Sequence, residues 1–88
     1  MNYYDMSITK LKAARAKKLV EYSVKRIEYT KLCEEGLYIT NGKDKKLIEE
    51  FNKKMETVEN DVYALEDLIY GLNHLIREKE AHNGNLLQ

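Results

Sequence analysis

The chain has 88 residues and a mass of 10.4 kDa, with 15 basic and 15 acidic side chains, one Cys, no Pro and no Trp. That length holds one domain, and a single Cys excludes an internal disulfide framework. Zero net charge argues against a protein that coats nucleic acid or an anionic membrane by bulk charge.

The first residues, Met1 to Ser7, lack the basic region and apolar stretch of a secretory signal. No run approaches the ~18 apolar residues of a membrane span. With a free thiol, this places the chain in a reducing cytoplasm, with no membrane partner. Abundant Lys, Glu, Asn, Ile and Tyr, without Trp or Pro, give the coding flavour of an AT-rich bacterial or phage genome, and a phage or other mobile element is an expected source.

Without proline, glycines and caps do the punctuating. Ser7 is a good N-cap for a first helix over about 8–35, with Gly36 just past its end in a left-handed position. Leu37 then falls where it can touch Leu32. The segment 36–43 ends on Asn41-Gly42 and reads as a turn whose apolar residues cap the core. Asp44 caps a second helix over about 44–82, and Asn83-Gly84-Asn85 opens a short tail, 83–88.

In the first helix, Met6, Ala13, Val20 and Ile27 recur every seven residues, joined by Ala16, Leu19, Ser23 and Val24. This stripe is expected to pack along the second helix in an antiparallel hairpin. The opposite side carries Leu11, Arg15, Lys18, Tyr22, Lys25, Arg26, Tyr29 and Cys33. Basic groups interleaved with tyrosines suit three uses: a seam between subunits, a protein-binding face, or a grip on phosphates and bases. Arg15, Lys18, Tyr22, Lys25, Arg26 and Tyr29 are therefore the candidate partner-binding residues.

The second helix has the strongest pattern. Ile48, Phe51, Met55, Val58, Val62, Leu65, Ile69, Leu72 and Ile76 follow an unbroken 3-4 spacing, the signature of a supercoiled seam. Leu47, Leu68 and Leu75 widen it beyond a two-stranded coil toward a bundle. Tyr63 and Tyr70 sit seven apart on its flank.

The second helix is longer than the first by ten residues, or about 15 Å, so its C-terminal end overhangs. Tyr3 and Tyr4 are placed to fold back over it. A lone hairpin buries such a wide stripe poorly without a staple. The expected architecture is all-α: a long, coiled-coil-like antiparallel two-helix hairpin that dimerises into a four-helix bundle.

Catalytic motifs are sparse. Cys33 has no nearby His and reads as a small packing residue. His74, Glu78 and His82 are spaced by fours but read as solvent-facing groups, so no metal and no cofactor are expected. The expected function is non-enzymatic: a homodimer that binds another protein, a regulator that occludes or tethers a larger partner. The alternatives are a nucleic-acid-binding module using the basic, tyrosine-rich face of the first helix, and a structural part of a larger assembly.

Overall fold

A computed structural model describes residues 3–39 and 41–86. Thr40 of the expected turn and the last two residues of the expected tail lie outside them. The described residues form a 3₁₀ turn, Tyr3–Asp5, followed by α1, Ile8–Ile39, and α2, Lys45–Leu86. The two helices run antiparallel as a hairpin 67 Å long and 19 by 15 Å across.

Both expected N-caps form. The Ser7 hydroxyl oxygen accepts from the Lys10 backbone N–H at 3.2 Å. The Asp44 carboxylate accepts from the backbone N–H groups of Lys46 and Leu47, at 3.1 and 3.3 Å. Each cap satisfies donors that a first helical turn leaves without partners.

The first helix does not stop where glycine suggested. α1 continues through Gly36 to Ile39, and no described residue has a positive φ. Leu37 and Tyr38 are exposed rather than folded onto the core. Asn41 ends the helix instead: its side-chain amide donates to the Leu37 carbonyl at 2.7 Å, and the Gly42 N–H donates to the Ile39 carbonyl at 3.0 Å. α2 likewise runs past Asn83 and Gly84 to Leu86.

The packing face of α1 is the reverse of the one expected. Leu11 is 0% exposed, whereas Val20, Val24 and Ile27 are 65%, 58% and 57% exposed. The face turned to α2 is Leu11, Arg15, Lys18, Tyr22, Lys25, Tyr29, Leu32 and Gly36, itself an unbroken 4-3 spacing that matches the period of α2. Hydrophobicity ranks the other stripe first. The long stems of Arg and Lys nevertheless cover apolar surface while their charges reach outward.

The core is split into two ends. Near the termini, Leu11 packs with Leu72 and Ile76 under Tyr3, Met6, Leu68 and Leu75. Near the turn, Leu32 packs with Val58 and Val62 beside Tyr22, Tyr29, Phe51 and Met55. Tyr3 folds back onto this end as expected, but Tyr4 is exposed, and Leu72 and Ile76 are also covered by Leu11 of α1 rather than left to an overhang. Between the two ends the seam is polar, and Leu65 and Ile69 of α2 stay half-buried.

Shape follows from this. The radius of gyration is 19.0 Å, against about 12 Å for a compact domain of this length. The chain exposes 7055 Å², where a compact monomer of 10.4 kDa exposes roughly 5,400 Å².

Candidate functional site

The six basic and tyrosine residues singled out in the sequence line the hairpin seam and its edges. Arg15 Nη1 donates to Asn73 Oδ1 at 2.9 Å. Tyr22 donates to a Glu66 carboxylate oxygen at 2.7 Å, and Tyr29 to Glu59 at 3.4 Å. Lys25 lies 3.3 Å from both Asp61 and Glu28, and Lys18 2.9 Å from Glu21. Arg26 is the most open of the set, its guanidinium 5.9 Å from the centre of the Tyr22 ring.

The geometry explains why these residue types occupy a seam. Asn73, Glu66 and Glu59 flank one side of the α2 apolar stripe and Asp61 flanks the other. A Lys, Arg or Tyr rooted on the α1 face lays its apolar stem on the stripe and delivers its polar end to those flanks. The acidic flanks of α2 were the available signal that α1 would turn its basic side inward.

Electrostatics follow the same pairs. Hydrogen bonding to Asp61 and Glu28 raises the Lys25 pKa above its usual value, and Glu21 raises that of Lys18 in the same way. The Tyr22 hydroxyl is raised mainly because it donates to Glu66. That of Tyr29 is raised first by the Cys33 thiol and then by Glu59. These are shifts of paired surface groups, each holding its proton more firmly.

Among the described residues, no group of three His, Cys, Asp or Glu is placed to hold a metal ion. His74 Nε2 and Glu78 make only a 3.0 Å pair on the exposed side of α2. Cys33 is exposed rather than packed. Tyr63 and Tyr70 are also exposed. No described helix is long and apolar enough to cross a membrane.

Two open surfaces are more informative. Along one side of the hairpin, Val20 and Val24 of α1 meet Ala64, Leu65 and Leu68 of α2 in a groove of about 560 Å³, edged by Glu21, Lys25 and Asp61. Adjoining it through Leu68, a hollow of about 410 Å³ has Tyr3, Tyr4, Leu72 and Leu75 for apolar walls and Asp67, His74 and Glu78 for a polar rim. Ile27 extends the exposed apolar area along α1.

Comparison with known proteins finds no matching family model, no similar curated protein and no similar solved structure.

Proposed function

We propose that the chain is a small non-enzymatic helical protein that pairs with a second copy and acts by binding a larger protein, as a regulator that occludes or tethers it. The observation that carries this reading is the exposed apolar run Val20, Val24 and Ile27 on a helix whose other side is already packed. Contiguous exposed apolar area of this kind marks an interaction surface. The chain also exposes about 1,650 Å² beyond the compact-monomer value for its mass. That excess is ample for a standard interface of roughly 800 Å² per partner.

Partner binding then falls to the opposite edge of the hairpin. There Arg26, Tyr29 and Tyr63 surround a hollow of about 110 Å³ with Glu59 and Glu66. The nucleic-acid reading is weaker, because Lys18 and Lys25 already face carboxylates and Arg15 an amide.

Sedimentation equilibrium at micromolar concentration tests the first half: the expected mass is twice 10.4 kDa. A monomer there removes the reading. Fluorescence anisotropy with labelled duplex DNA at low salt tests the alternative, and salt-sensitive binding would favour it over the protein-partner reading.

A further inference from the structure

We propose that the two copies pair groove to groove about a two-fold axis parallel to the helices, so that α1 of each lies against α2 of the other. This rests on the self-association reading and specifies its geometry. A closed dimer that buries the same patch on both copies has two ways to stack one hairpin on another. With the axis across the helices, α1 meets α1 and α2 meets α2. With the axis along them, each helix meets its opposite.

Charge separates the two. α1 carries eight basic and four acidic side chains, and α2 carries six basic and nine acidic. Stacking α1 on α1 sets net +4 against net +4, and like charges across an interface oppose pairing. The alternating arrangement surrounds each positive helix with two negative ones, all antiparallel.

Register supports the same choice. Facing residues across the seam have numbers that add to between 86 and 92, as in Lys12 with Glu80, Tyr22 with Glu66 and Lys25 with Asp61. A two-fold axis along the helices introduces no shift along them, so the same levels hold between copies. Val24 of one copy then lies level with Ala64 of the other, and the apolar groove meets itself. Lys17 precedes Val20 by one turn on the same side of α1, and Lys10 lies two turns further back. Neither makes an ion pair within the described residues. At these levels Lys10 comes beside the other copy's Glu78, on the rim of the hollow that adjoins the groove.

Mixed disulfide trapping tests the arrangement. Two proteins, Cys33→Ser/Val24→Cys and Cys33→Ser/Ala64→Cys, are mixed, allowed to exchange and oxidised, and the products are resolved by mass spectrometry. The expected product is the mixed 24–64 dimer. Dominant 24–24 and 64–64 products, or a sedimenting dimer that gives no cross-link, overturn this geometry and leave self-association standing. A wild-type chain that sediments as a monomer overturns both. As a second measurement, Lys10→Glu is expected to weaken dimerisation roughly 3- to 30-fold, and Lys10→Glu/Glu78→Lys to restore it, with helix content unchanged by circular dichroism. Failure of the double variant to recover affinity while the single variant loses it also counts against the arrangement.

Discussion

A Cβ built on Gly36 would lie 2.8 Å from Cζ and 3.0 Å from Cε1 of the Phe51 ring. The helices close at the turn end because residue 36 has no side chain. Gly71 is the contrasting case, also inside a helix but with nothing within 4 Å of its Cβ position.

The two glycines therefore respond oppositely to alanine. At Gly71 the only effect is relief of glycine's helix penalty, so Gly71→Ala is expected to stabilise by about 1 kcal/mol. At Gly36 the same gain is outweighed by overpacking, which costs about 1–3 kcal/mol. Gly36→Ala should lower the melting temperature, and Gly71→Ala should raise it by about 4–8 °C. In the Phe51→Leu background, which shortens the ring contact, Gly36→Ala should cost much less. Thermal melts of the four variants check this.

The same glycine shows where sequence reading went astray. Gly followed by a hydrophobic residue fits a helix stop and fits equally a close crossing of two helices. Only the position of Phe51 on the other helix distinguishes them. The α2 seam was legible because every position of its 3-4 spacing is apolar, which a single chain displays without help. The α1 face was not, since Arg15, Lys18 and Lys25 look like solvent residues until Asn73 and Asp61 stand beside them. What the sequence did hold was the 4-3 spacing from Leu11 to Gly36, and this period outweighed the polarity of its members. The helix count, the two N-caps and the antiparallel turn were readable from local signals alone.

The reversed face of α1 yields a direct comparison. Leu11 is fully enclosed by Leu72 and Ile76, so Leu11→Ala removes buried methyl groups and leaves a cavity. The expected cost is about 2–5 kcal/mol. Ile27 lies on the outer stripe, and Ile27→Ala should change the stability of the isolated hairpin by less than about 0.5 kcal/mol. Urea unfolding at concentrations too low for association measures both. Equal losses would mean that both faces of α1 are packed in the single chain.

Alkaline pH should loosen the seam. Tyr22, Tyr29, Lys18 and Lys25 all hold their protons above their usual values of 10.0 and 10.5. The folded chain then binds more protons than the unfolded chain at high pH, and stability falls as pH rises. The contribution is complete below about pH 10 and fades as pH climbs through the raised values. An ionised Tyr22 would sit against the Glu66 carboxylate with its hydrogen bond gone. Melting temperatures between about pH 9 and pH 11.5 should decline, and Tyr22→Phe/Tyr29→Phe should make the decline shallower. A parallel decline in both proteins would assign it to the lysines alone.

Polar contacts from α2 join packing in holding the start of the chain. Lys79 Nζ donates to the backbone carbonyls of Tyr4 and Met6, and Lys12 pairs with Glu80 at 3.2 Å one residue further on. Tyr3 and Met6 pack beside Leu11 of α1 on Leu72 and Ile76. Within the 3₁₀ turn the Met6 N–H donates to the Tyr3 carbonyl at 3.2 Å. Lys79→Met keeps the aliphatic stem and removes the donor. Hydrogen bonds from a charged group contribute about 1.5–3 kcal/mol when well shielded, and partial exposure here brings the expected loss nearer ~1 kcal/mol. Amide exchange at Met6 should accelerate, while the amides of the Leu32–Val58 end remain as protected as before. Tyr3→Ala should reproduce that local pattern by uncovering Leu72 and Ile76. Unchanged exchange at Met6 in Lys79→Met would show that packing of Tyr3 and Met6 suffices without the lysine.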